Sequence, residues 1–176
     1  MSKIVDVIKG SIRSIPDYPK PGILFYDIGT LLADKDAWQM TLSGMAELVE
    51  PWKPDVIVGI EARGFVMGAA LASSLGVSFA MARKKGKLAG ETVSVSYDLE
   101  YGQDVIEMQK GVIHAGKRAV VCDDLLATGG TAAAAISLIR LLDVEVVGAV
   151  FAIELDFLNG RTRLDVETKS LIHYDE

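Results

Sequence analysis

Two adjacent carboxylates, Asp123 and Asp124, lead through Leu125 and Leu126 into Ala127-Thr128-Gly129-Gly130-Thr131. The apolar run Arg118 to Cys122 precedes them, so a strand delivers both acids to a loop that opens an alanine-rich helix. Small residues at a helix start let several backbone N–H groups converge on one anion, and the helix dipole favours a phosphate there. Thr128 and Thr131 add hydroxyl donors. Side-by-side aspartates repel, and they suit either paired ribose hydroxyls or a hydrated cation. An N-cap and tight turn would account for Thr128 or Thr131, but not for two aspartates and two glycines together. The segment is not a Walker A loop, because the glycine spacing differs and no Gly-Lys-Ser/Thr follows.

Two further segments carry charge where chemistry could use it. In Glu61-Ala62-Arg63-Gly64-Phe65 an arginine stands at the start of a helix, against the dipole by about 0.3–1 kcal/mol. Such an arginine calls for a bound anion or for a carboxylate partner, Glu61 or another surface acid. Arg83-Lys84-Lys85-Gly86-Lys87 puts four cations into five residues after a strand end. A solvated turn and a polyphosphate contact both fit that run.

The elements that must position these segments alternate. An opening helix is expected to end before Pro16, followed by a turn-rich connector, Asp17 to Gly22, and an extended run, Ile23 to Ile28. A helix is predicted over Asp34 to Glu50, closed by Pro51. Val56 to Ile60 reads as a strand, then a helix from Phe65 to Leu75, then a strand over Val77 to Ala82. The pattern recurs with a strand at Arg118 to Cys122, a nine-residue loop, a helix from Thr131 to Leu142 and a strand over Val144 to Leu155. Such alternation predicts an α/β fold whose central sheet is mainly parallel and flanked by helices, with ligands beyond the C-terminal strand ends. Thr92 to Gly102 departs from it with strict period two, which predicts a hairpin or lid running into Asp104 to Lys110.

Composition narrows the classes. A chain of 176 residues predicts one domain able to bury roughly 70% of its unfolded surface. Its net charge of −6 argues against broad binding to nucleic acid or anionic lipid. The lone Cys122 allows no intrachain disulfide or cysteine metal cluster, and a reducing, cytoplasmic compartment is expected. Lys3, Asp6, Lys9 and Arg13 interrupt the N-terminal apolar pattern, so no signal-peptide core is expected. Phe65 to Ala82 is an uncharged run of 18 residues, but its serines and glycines read as a buried helix plus a strand rather than a membrane span.

Phe25-Tyr26-Asp27-Ile28, Glu61 to Phe65, Arg83 to Leu88, Tyr97 to Gly102 and Val120 to Thr131 together resemble the adenine branch of the type I phosphoribosyltransferase family. The resemblance runs from about Ile15 to Tyr174, and its broadest element is the signature for phosphoribosyl pyrophosphate (PRPP) at Val120 to Thr131. It implies one domain over 1–176, with a small N-terminal hood holding the helix and base-binding segment (about 1–34) and a flexible hairpin lid (about 84–110). It implies that Asp123 and Asp124 hold the ribose hydroxyls and that Ala127, Thr128, Gly129, Gly130 and Thr131 cradle the 5′-phosphate of PRPP or AMP. Arg63 would contact pyrophosphate, as would Arg83 and Lys87, reaching from a neighbouring subunit of a homodimer. Leu24, Phe25, Tyr26 and Leu125 would surround adenine. The family usually has arginine in place of Tyr26, so this chain loses a charge there but keeps a flat face. Glu100 would manage the purine proton, Tyr101 would belong to the lid, and Mg²⁺ would arrive on pyrophosphate without a direct protein ligand. The implied reaction is purine salvage, adenine plus PRPP giving AMP plus pyrophosphate. The alternatives are transfer to another purine, or a PRPP-binding regulator on the same fold.

Overall fold

The structure, a computed structural model, describes residues 2–98 and 102–175. It divides into two compact units, Met1–Gly44 and Met45–Glu176.

In the first unit, α1 (Ser2–Gly10) leads into β1 (Arg13–Ile15), which pairs antiparallel with β2 (Phe25–Asp27). The opening helix thus ends before Pro16, as expected. Gly10 ends it, and the residues before Pro16 join a strand whose Arg13 is ion-paired with Asp27 across the ladder. Asp27 also caps α2 (Ile28–Ala33), its Oδ1 accepting from Gly29 N at 2.8 Å. The next helix, α3 (Lys35–Val49), runs past the boundary between the units.

The second unit is built on a seven-stranded sheet. Its strands are β3 (Val56–Ile60), β4 (Ser78–Lys84), β5 (Thr92–Asp98), β6 (Gln103–Gln109), β7 (Arg118–Leu126), β8 (Glu145–Leu155) and β9 (Thr168–Tyr174), in the order β5-β6-β4-β3-β7-β8-β9. The five from β4 to β9 pair in parallel, while β5 and β6 form an antiparallel hairpin laid on β4. Helix α4 (Arg63–Leu75) lies over Ile57 and Gly59, where Gly59 and Gly68 leave room for the Phe79 ring. Helix α5 (Gly130–Arg140) covers the opposite face with Val58, Ile60, Val121 and Phe151. Among the described residues no helix is long and apolar enough to cross a membrane. The uncharged run from Phe65 is α4 followed by β4, as expected.

Several boundaries differ from the sequence expectation, the two largest of them through strand pairing. Strand β7 continues to Leu126 because Asp123, Leu125 and Leu126 stay in register with Phe151, Ile153 and Glu154 of β8. The expected nine-residue loop therefore shrinks to Ala127–Gly129, and both aspartates sit on the strand. Strand β4 extends through Lys84 because Arg83 and Lys84 pair with Glu107 and Ile106 of β6. Helix α4 starts two residues early, at Arg63.

Candidate active site

The parallel strands β3, β4 and β7 point their C-terminal ends to the same edge of the sheet, where β3, α4 and β7 interlock through glycines. A Cβ at Gly59 would lie 2.6 Å from the Gly64 carbonyl oxygen. A Cβ at Gly64 would lie 2.8 Å from both Asp123 Oδ1 and the Cys122 carbonyl oxygen. The first turn of α4 thus rests directly on the strand carrying the acids, which no residue with a side chain would permit. That approach puts Arg63 Nε 2.7 Å from Asp124 Oδ2. Arg63 pairs with Asp124, not with Glu61. The contact is an ion pair rather than an aligned hydrogen bond, and the buried Oδ2 accepts no hydrogen bond within the protein.

Asp123 occupies the other side of the strand. Its Oδ1 accepts from Asp124 N at 2.8 Å, and its carboxyl lines two adjoining cavities. Burial, then the neighbouring Asp124 charge, pushes its pKa well above the ordinary carboxylate range. The smaller cavity, about 100 Å³, is bounded by Asp123, Leu125 and the run from Ala127 to Thr131. Gly129 takes φ +79° and hands over to α5, whose first turn no side chain caps among the described residues. The leading amides of α5 therefore lack intrahelical acceptors and face an anion-sized space.

The larger cavity, about 210 Å³, is bounded by Glu61, Lys84, Tyr97, Asp104, Asp123 and Thr131 among others. Glu61 is its organiser. It accepts from Arg83 Nε at 3.3 Å, from Arg83 Nη2 at 3.1 Å and from Lys84 N at 2.9 Å, with Lys87 Nζ 3.5 Å away. The Arg83 guanidinium above all holds the Glu61 carboxyl below its usual range. Arg83 also donates to the Lys87 carbonyl at 3.1 Å, and the turn is pinned where Gly86 N donates to Glu107 at 3.0 Å. The cationic run is therefore an ordered turn facing a carboxylate. Lys84 Nζ lies 3.1 Å from Asp104 Oδ2 and so clasps the hairpin to β4.

The structure thus assembles Arg63, Arg83, Lys87, Asp123, Asp124, Leu125 and Ala127–Thr131 on one unit. Leu24, Phe25 and Tyr26 belong to the N-terminal unit. There Leu24 is exposed, Tyr26 is buried, and Phe25 meets Tyr18 edge-on at 5.1 Å. Glu100 and Tyr101 lie outside the described residues. Lys84, Tyr97 and Asp104 line the larger cavity; Lys84 belongs to the cationic run and Tyr97 to a segment of the resemblance, but none of the three has an individual role assigned from the sequence. Tyr97 and Asp104 fall in the predicted hairpin, but only strand pairing shows which way they face.

A strand-end acidic pair feeding a glycine loop on this sheet is the arrangement of a phosphoribosyl transferase domain, and the family of that description matches residues 43–170. The adenine phosphoribosyltransferase of Rhodospirillum centenum is 58% identical over 168 residues, 96% of this chain and 98% of that one. Crystal structures of adenine phosphoribosyltransferases superpose closely. That from Thermoanaerobacter pseudethanolicus gives a TM-score of 0.94 at 46% identity, covering 97% of this chain and 99% of its own. That from Saccharomyces cerevisiae, complexed with an imino-altritol bisphosphate and adenine, gives 0.93 at 38% identity with the same coverage. The chain belongs to the adenine phosphoribosyltransferase family.

Proposed function

We propose that this protein is a purine-salvage enzyme that transfers the phosphoribosyl group of PRPP to N9 of adenine, giving AMP and pyrophosphate. The observation that carries this reading is the uncapped start of α5 beside Asp123, in a chain that matches adenine phosphoribosyltransferases over 96% of its length. The amides of Gly130 and Thr131 and the hydroxyls of Thr128 and Thr131 bind the 5′-phosphate, and Asp123 accepts from the ribose hydroxyls. Arg63, Arg83 and Lys87 take the negative charge that grows on pyrophosphate as the C1′–O bond breaks. Pyrophosphate competes with Glu61 for Arg83, so binding trades one anion for another on the same guanidinium. Leu24, Phe25 and Tyr26 of the N-terminal unit and Leu125 of the second unit are the proposed purine contacts.

The residues present fit a Mg²⁺ ion that carries its own water. Asp123 and Asp124 are hard oxygen donors; Asp123 lines both cavities, while Asp124 Oδ2 is held by Arg63 at 2.7 Å. They would hold the ion through water and ribose oxygens, and the bound ion would neutralise charge on pyrophosphate.

Steady-state release of pyrophosphate, measured with adenine, guanine, hypoxanthine and xanthine in turn, tests the substrate assignment. Turnover with adenine alone is expected; equal turnover with a 6-oxopurine would replace adenine in the scheme. Glu100 is proposed to accept the purine proton. Glu100→Gln should cut kcat by about 10²–10⁴-fold while PRPP affinity holds. Single-turnover chemistry within about threefold of wild type would remove Glu100 from that role.

A further inference from the structure

Away from the substrate cavities, a tight polar knot in the second unit surrounds Glu154. It lies one residue before the end of β8 and is 1% exposed. A carboxylate so buried needs full compensation. Arg161 supplies it as a fork, Nε donating to Oε1 and Nη2 to Oε2, each at 2.6 Å, and Ser170 Oγ donates to Oε2 at 2.6 Å. Burial works against the Glu154 charge, yet the hydrogen bonds from Arg161 and Ser170 outweigh it and hold the pKa below its ordinary value. Both Glu154 oxygens are thereby committed, so the cluster with Asp156 and His173 serves as a structural tie and not as a cation cage.

A bidentate fork fixes backbone as well as side chain, because both nitrogens must meet a rigid carboxylate at once. The backbone that Arg161 fixes is the 3₁₀ turn Gly160–Arg163. His173, paired with Glu154 across the β8–β9 ladder, holds the preceding turn through Asp156 at 2.9 Å. The segment pinned at both points presses Gly160 against the phosphate loop, backbone to backbone. A Cβ at Gly160 would run into the Ala127 carbonyl and come within 3.0 Å of Gly129 N, and a Cβ at Gly129 would run into the Gly160 carbonyl.

We propose that the Glu154–Arg161 pair is a positioning brace for the phosphate loop, setting through Gly160 where the amides of Gly129, Gly130 and Thr131 aim. The proposal rests on the reading of Ala127–Thr131 as the phosphate cradle. Arg161 and Glu154 touch no substrate in this scheme. They act on affinity for the phosphate end of PRPP and leave the purine end alone.

The test uses Arg161→Ala, Arg161→Lys and Gly160→Ala in the full chain, with ribose 5-phosphate and adenine as separate calorimetric probes. Arg161→Ala and Gly160→Ala should each weaken ribose 5-phosphate by about tenfold or more. KM for PRPP should rise in parallel, while adenine affinity and kcat stay within about threefold. Arg161→Lys keeps the charge without the fork, so it should recover part of the loss; being at a half-exposed position, it also stays interpretable if Gly160→Ala fails to fold. Amide chemical shifts of residues 128–131, recorded without ligand, should move in all three variants. Unmoved loop amides together with unchanged ribose 5-phosphate affinity would overturn the brace. Wild-type protein that binds no ribose 5-phosphate would instead overturn the substrate reading, and the amide shifts would still decide the brace.

Discussion

Burial and the adjacent Asp124 charge raise the Asp123 pKa well above the ordinary range, which makes the residue a liability to the fold at neutral pH. Below the unfolded pKa both states are protonated and nothing is lost. As pH rises through that value the unfolded chain releases its proton first, so stability declines until the folded carboxyl also ionises. Asp123→Asn should therefore raise Tm at pH 8, by about 2–4 °C for each kcal/mol relieved, with the gain shrinking toward pH 4. The Oδ1 acceptor for Asp124 N survives the change, so the backbone is undisturbed. The same variant should bind PRPP at least about tenfold more weakly, because the strong charged acceptor for the ribose is gone. Scanning calorimetry at several pH values, paired with PRPP titration, checks both halves. A lower Tm at pH 8 would mean that the carboxylate is compensated in the folded protein.

At the level of elements, the central question is how α4 comes to lie against β7, because that approach joins Arg63 to Asp124. Gly64 is the hinge of the answer, with Asp123 Oδ1 and the Cys122 carbonyl each 2.8 Å from where its Cβ would stand. Gly64→Ala must push the start of α4 away from the strand, costing about 1–3 kcal/mol as an overpacked contact. It should also weaken pyrophosphate binding together with PRPP, since Arg63 moves with the helix. Thermal melts and pyrophosphate titration measure the two effects; a variant with both unchanged would show that the helix start accommodates a methyl group freely. The order of strands and helices was legible because hydrophobic runs of different length and period alternate along the chain. The extent of β7 was not. Strand pairing with β8 ignores side-chain charge, so two aspartates that look like loop residues stay in the ladder. Strand β9 and the turns before it, with Gly160 and Arg161, have no such signal, and Glu154 reads only as part of the β8 apolar run. Their importance comes from contact with a loop some 30 residues away, which local spacing does not encode.

For the whole molecule, the open question is whether one chain makes a complete site. The acidic pair and glycine loop were legible because charge repulsion and small residues at a helix start have few structural uses. The partner of Arg83 was not, since the cationic run alone does not reveal that Glu61 faces it. Strand β4 presents Phe79, Met81 and Arg83 on one side, with Met81 exposed. The Phe65 ring of α4 sits edge-on to Phe79 at 6.2 Å and beneath the Arg83 guanidinium at 5.7 Å, and Val66 beside it is exposed. A lone exposed apolar residue needs no partner, but an apolar face ending on a candidate substrate cation fits an interface between two copies. The expected assembly is a homodimer, and Met81→Asp should raise its dissociation constant by about tenfold or more in sedimentation equilibrium. Whether Arg83 then serves its own site or its neighbour's is decided by mixing Arg63→Ala subunits with Arg83→Ala subunits. If Arg83 crosses the interface, each mixed dimer regains one intact site and activity returns. If the Glu61 contact marks Arg83 as serving its own chain, both sites of the mixed dimer stay damaged. The crossing arrangement predicts recovery, and mixed dimers confirmed by mass yet inactive would reject it.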